Sequence, residues 1–147
     1  MSLIDTINED FKNAMRNRKE LIVATLRLLK SAIKNLEIET KKELSDNDII
    51  DLISKEIKKR KDAEKTYNNV GRVELAEKEK KEANVLQLYM PQQLTDEELD
   101  KIIQEEINNI GASDKKDMGR VMSEVMKRVK GKADGGVVSG KVIKLLE

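Results

Sequence analysis

Met118, Val121, Met122, Val125, Met126 and Val129 recur at i, i+3, i+4, i+7, i+8 and i+11. That spacing gathers all six on one stripe of an α-helix and on no single face of a strand. A chain that keeps this rhythm from end to end has to bury its apolar residues by packing helix on helix. At roughly 100° per residue, Lys116, Arg120, Ser123 and Lys127 project from the opposite side of the same segment. Gly131 stops the helix, and Asp134 is placed to cap the next one. The cationic side is either an ordinary solvated helix face or a surface meant for a partner.

The same rhythm runs through the rest of the chain. Residues 2–17 read as a first helix with Leu3, Ile4, Ile7, Phe11, Ala14 and Met15 on one side. Residues 19–42 form the most apolar helix, where Ile22, Leu26, Leu29, Ile33 and Leu36 make one stripe. Leu21, Leu28 and Ala32 widen it, so this helix is expected to face more than one neighbour. Its remaining face carries Arg27, Lys30 and Lys34, read as solvated because a helix surface must be polar somewhere. Ser45-Asp46-Asn47-Asp48 is a capping-box start for a third helix, which runs to the break at Asn68-Asn69-Val70-Gly71. A fourth helix, about Val73 to Tyr89, has the nearly all-charged middle Glu77-Lys78-Glu79-Lys80-Lys81-Glu82, expected to be a solvated, ion-pair-laced face.

Pro91 forces its predecessor out of the helical region and marks a joint. Thr95-Asp96-Glu97-Glu98 is a full capping box. It opens a helix with Leu99, Ile102, Ile103, Ile107 and Ile110 that closes at Gly111. Ser113 is then expected to cap the helix of residues 118–129, and Asp134 a last one through Val137, Val138, Val142, Ile143, Leu145 and Leu146. The predicted architecture is all-α: an N-terminal antiparallel four-helix unit over residues 1–91, then a small three-helix unit over residues 92–147. Aromatics at only 2% of the chain and a Lys/Glu/Leu/Ile-rich balance agree with helices and oppose a sandwich or barrel.

Absences restrict the chemistry. With no Cys there is no disulfide, thiol nucleophile or thiolate metal site. With no His, a Ser-His-Asp device cannot exist within the chain, and the commonest transition-metal ligand is missing. No metal and no cofactor are therefore expected. No apolar run reaches membrane-spanning length, and Asp5, Glu9 and Asp10 spoil a signal-peptide reading, so a cytoplasmic protein without membrane contact is expected. Carboxylates crowd the charged faces, and none reads as set in an apolar context that would raise its pKa for acid catalysis. Gly135-Gly-Val-Val-Ser-Gly140-Lys141 resembles a phosphate loop, but Val142 stands where Ser or Thr would hold magnesium and no strand precedes it. Its glycines are expected to let the last two helices approach closely.

The net charge of +1 confines any electrostatic partner to local patches. Asp96, Glu97, Glu98, Asp100, Glu105 and Glu106 make an acidic helix beside the basic segment 115–132, and some internal pairing is expected, such as Glu124 with Arg128 at i, i+4. Lys130-Gly131-Lys132 reads as the least neutralised cationic spot. With Phe11, Tyr67 and Tyr89 scattered, base stacking on an aromatic platform is out. A basic helix and loop can instead neutralise phosphates on a folded RNA. The candidate RNA-binding residues are Lys116, Arg120, Lys127, Lys130 and Lys132. Gly119, within the same helix, is either a close-packing site or a gap through which a partner backbone approaches.

Asp117-Met118-Gly119-Arg120-Val121-Met122, followed by Val129-Lys130-Gly131-Lys132-Ala133-Asp134-Gly135, resembles the signature of the YqeY-like family and of the C-terminal tail domain of the B subunit of glutamine-dependent aspartyl/glutamyl-tRNA amidotransferase. Leu26-Arg27-Leu28-Leu29-Lys30-Ser31-Ala32-Ile33-Lys34-Asn35, Glu37-Ile38-Glu39 and Tyr89-Met90-Pro91-Gln92-Gln93-Leu94 agree with it, so the resemblance covers essentially the whole chain. It implies a stand-alone module akin to a tRNA-engaging tail. It also implies an association with carbon–nitrogen ligase activity using glutamine as amide donor, whose chemistry resides in other domains. Lys127 stands where the family often has Pro, and Gly136 where it usually has Lys. The functional expectation is a non-catalytic binder of tRNA or other structured RNA. The alternative is a protein–protein adaptor for a translation or amidotransferase component.

Overall fold

Side chains just ahead of the first apolar residues fix where most of the helices begin. The computed structural model describes all 147 residues and contains seven α-helices, one short 3-10 turn and no strand. Ser2 accepts the Asp5 amide at 3.3 Å and opens α1 (Leu3–Arg16). Ser45 and Asp48 form a reciprocal capping box at the head of α3 (Asp46–Asn69). Thr95 accepts the Glu98 amide at the start of α5 (Asp96–Ile110), but the Glu98 carboxylate returns to the Thr95 hydroxyl rather than to its amide, so that box is half closed. Asp134 accepts from Gly136 at 2.7 Å and opens α7 (Gly135–Leu145). The remaining helices are α2 (Glu20–Thr40), α4 (Val73–Gln87) and α6 (Met118–Val129). Ser113 does not cap α6. Asp114 caps the 3-10 turn Lys115–Asp117 that leads into it, and Asp117 turns back to accept the Ser113 amide.

The chain divides into two compact units, Met1–Met90 and Pro91–Glu147, each with its own core. In the first, α2 packs against α1, α3 and α4, which accounts for its broad apolar face. Ile7, Leu26, Leu29, Ile49, Ile53 and Leu86 are essentially sealed from solvent there. Two residues assigned to apolar stripes from spacing are not in the core: Leu28 of α2 is 56% and Met15 of α1 52% exposed. Periodicity marks a helical stripe, but only the neighbouring helices decide how wide a stripe gets covered. In the second unit, Val121, Val125 and Val129 of α6 meet Leu99 and Ile103 of α5 and Val138 and Val142 of α7. Val137 and Leu145 sit on the outer edge of α7, each about half exposed.

The charged middle of α4 is exposed at Glu77, Lys78, Lys80 and Lys81, as expected for a solvated face, and departs from expectation at Glu82. Glu82 and Arg60 are both buried, with Arg60 Nε donating to Glu82 Oε2 at 3.2 Å and Nη1 to Glu56 Oε2 at 3.1 Å. Glu79 nearby is held above the ordinary carboxylate range, chiefly because burial penalises its charged form and secondly because Glu82 repels it. One carboxylate therefore does have a raised pKa, but on the wall of an ion-paired helix contact.

Tyr89 closes the first unit by donating its hydroxyl to Asp10 Oδ2 at 2.6 Å. Burial, then the hydrogen bond and charge of Asp10, push the phenol well above its usual value. The folded state thus keeps this proton longer than the unfolded chain does. Its contribution is complete below pH about 10 and is lost as pH rises beyond that. Tyr89→Phe is expected to cost about 1 kcal/mol at neutral pH. It should also flatten the alkaline fall in stability relative to the parent, read from urea unfolding on both sides of pH 10. Equal alkaline slopes would refute this role.

Candidate nucleic-acid interface

The five residues singled out from sequence belong to the second unit, on the 3-10 turn, on α6 and in the loop that follows. All five are exposed, but they are not equally available. Lys116 and Lys132 make no ion pair. Arg120 donates to the Ile110 carbonyl at 3.3 Å and lies 3.9 Å from Asp117, which leans it over the end of α5. Lys127 pairs with Glu124 at 3.0 Å, and Lys130 is not without a partner either. The spot read as least neutralised is thus narrower than expected, with Lys132 its open member.

Arg128 settles part of the charge contrast between α5 and α6. It does not pair with Glu124 along its own helix. Its two terminal nitrogens instead reach Glu105 Oε2 and Glu106 Oε1, each at 3.0 Å, and the two hydrogen bonds make the guanidinium hold its proton more firmly. Lys141 likewise crosses from α7 to Asp100 at 2.8 Å, with Asp96 at 3.8 Å, and its pKa is raised first by that Asp100 bond. The acidic helix is therefore neutralised by its neighbours along two of its edges. These exposed pairs contribute little to stability. They do remove Arg128 and Lys141 from any cationic surface.

The loop carrying Lys130 and Lys132 has a fixed backbone. Gly131 takes a left-handed conformation, φ 76°. Its carbonyl accepts from Gln93 Nε2 at 2.8 Å, while the Lys132 carbonyl accepts the Leu94 amide at 2.9 Å. Gln93 also donates to the Pro91 carbonyl at 3.0 Å. The segment after the proline is thus a clamp that holds the basic loop in place, a role that sequence reasoning missed. The only available signal was the unusual Pro91-Gln92-Gln93-Leu94 run itself.

Glycine placement separates two readings left open by the sequence. A Cβ built on Gly119 meets nothing within 4 Å, so close packing does not explain this residue. It stands at the second position of α6, exposed between Lys116 and Ser123. Nor do the α7 glycines bring helices together: Gly140 is open, and the nearest side-chain contact of Gly135 is Met126 at 3.9 Å, an ordinary distance. The resembled phosphate loop is itself a stretch of continuous helix. No trio of carboxylates is placed to hold a metal ion, and no helix is long and apolar enough to cross a membrane.

A family model described as Yqey-like protein matches residues 4–146, through both units. The chain belongs to the YqeY-like family. Among curated relatives of this YqeY-like chain, a Pyrenophora tritici-repentis protein named altered inheritance of mitochondria protein 41, mitochondrial, is 30% identical over 143 residues. That match covers 95% of the chain and 78% of the relative. Proteins of the same name from Lachancea thermotolerans and Saccharomyces cerevisiae are each 34% identical, over 90 and 98 residues. Those matches take in 60% and 66% of the YqeY-like chain and about half of each relative, 48% and 53%. The expectation of a cytoplasmic location is overturned by these names, since all three relatives are called mitochondrial. The lack of a long apolar run, on which that expectation rested, carries no address.

Proposed function

We propose that the second unit of this YqeY-like chain is a non-catalytic module that engages structured RNA, tRNA foremost. Lys116, Arg120, Lys127, Lys130 and Lys132 contact phosphates. The observation that carries this reading is Gly119: an exposed, bare position in a helix, with cations on both sides and nothing of this chain against it. A glycine there stiffens no packing and lowers helix propensity. It does allow a sugar–phosphate backbone to lie directly on the helix. The clamped loop adds Lys132 in a preset position, which lowers the ordering cost of binding. No residue of the chain is assigned a bond-making step, and amide transfer stays with the other domains of the enzymes whose tail it resembles.

Filter binding of bulk tRNA over a salt series tests the reading. With a handful of phosphate contacts, a fourfold rise in salt should weaken binding by on the order of a hundredfold. Reversing Lys116 and Lys132 to Glu should weaken it by about tenfold or more at fixed salt. Gly119→Ala should stabilise the fold by up to about 1 kcal/mol and still weaken tRNA binding. Absence of binding at low salt, or indifference to the Lys116 and Lys132 reversal, would remove RNA as the ligand.

A further inference from the structure

The first unit carries a second, more open concentration of charge. Between Phe11 and Leu36, seven Lys and Arg side chains stand against one carboxylate, Glu20, and none of the seven makes an ion pair. Two are held by an aromatic ring instead. Lys30 Nζ lies 4.5 Å and Arg27 Cζ 5.7 Å from the Phe11 ring centroid. The ring gives both cations an attractive seat without neutralising them.

Beside this pair, α1, α2 and the turn between them leave a groove of about 380 Å³ lined by Met15, Arg18, Glu20, Val23, Ala24 and Arg27. Its floor is apolar, with Met15 half exposed, and arginines line it beside that floor. Arg18 is there against conformational preference. It occupies the left-handed position that closes α1, φ 55°, with Arg18 N donating to the Met15 carbonyl and Lys19 N to the Ala14 carbonyl. The equivalent closing positions of α3 and α5 are filled by Gly71 and Gly111. That turn geometry calls for glycine, because a Cβ is strained there. Lys41 closes α2 in the same conformation, φ 57°, but of the two only Arg18 lines the groove.

We propose that this groove docks an acidic segment of a partner protein, one apolar side chain seated on Met15, Val23 and Ala24, with flanking carboxylates meeting Arg18, Arg27 and Lys30. The apolar floor between arginines matches the enrichment of Met and Arg at protein interfaces, and a phosphate backbone would have no use for it. Charge complementarity fixes the sign of the partner. Every residue of this surface belongs to the first unit.

The test uses the full chain with methyl-labelled Met and Val, titrated with a synthetic helical peptide of Glu and Leu. The expected result is a saturable shift of the Met15 and Val23 methyls that weakens as salt rises. Arg18→Gly separates binding from folding: it should leave the melting temperature unchanged or raised while weakening the peptide by about tenfold. A Lys–Leu peptide should leave Met15 unmoved. No Met15 shift at low salt, or equal affinity after Arg18→Gly, overturns the proposal. So does an equal response to a Glu–Ser peptide lacking the anchor, or to tRNA, which would make the groove a general polyanion surface. Loss of tRNA binding in the Lys116 and Lys132 variant has no bearing on these outcomes.

Discussion

Arg60→Met is expected to destabilise the first unit by about 3–5 kcal/mol at neutral pH, the usual range when one member of a buried ion pair is removed. Arg60 is 8% and Glu82 7% exposed, so neither can turn to water for its lost partner. Without the guanidinium, Glu82 is left as a buried carboxylate, with the half-buried Glu56 and Glu79 also losing Arg60 as a neighbouring charge. Glu79 is already raised by burial and by Glu82, and Arg60 is the first of the charges that oppose that shift. Removing it raises Glu79 further. Groups whose folded pKa exceeds the unfolded value stabilise the protein below the unfolded pKa, and that stability is lost as pH rises. The variant should therefore recover much of its deficit near pH 4.5 and lose it again toward pH 7. Urea unfolding followed by circular dichroism at the two pH values decides the matter. The companion change Arg60→Met with Glu82→Leu should recover most of the deficit, because the one fully buried carboxylate goes with its partner while Glu56 keeps Lys59. If the single and double variants are equally unstable, the deficit comes from lost packing and not from the stranded charge.

This pair also shows where a sequence stops being readable. The all-α class, the helix starts at Ser2, Ser45, Thr95 and Asp134, and the stripe of Val121, Val125 and Val129 follow from local rules, since caps and periodicity act within a few residues. Arg60 and Glu82 are 22 residues apart on different helices, and no local rule distinguishes them from the charged residues around them. Arg128 was open to the same confusion, because Glu124 is in reach along its own helix while the carboxylates it actually holds are on α5. Exposed Met15 and Leu28 mislead in the opposite direction. They look apolar enough for the core, but no neighbouring helix extends over them. For the candidate site, the cations were legible and their availability was not. Availability depends on which carboxylates α5 brings alongside α6, and on the Gln93 and Leu94 contacts that fix the loop.

Ile103→Ala is the second change with a large expected effect. Ile103 is fully sealed in the core of the second unit, packed among the valines of α6 and α7. Truncating it removes three carbons and leaves a cavity, at a cost of about 2–5 kcal/mol. At roughly 0.05–0.15 kcal/mol per residue, a unit the size of Pro91–Glu147 has a total stability of only about 3–9 kcal/mol. The substitution should therefore leave this unit marginal or unfolded at physiological temperature. No residue of its core belongs to the core of Met1–Met90, so the first unit should keep its own transition. Amide exchange by mass spectrometry would show this as lost protection over α5, α6 and α7 with α1 to α4 unchanged. The same variant should lose tRNA binding, because Lys116 and Lys132 are placed only by that core. It should retain the Met15 response to the acidic peptide. Simultaneous loss of protection in both units would mean that they fold as one, and assigning separate ligands to separate units would then lose its structural basis.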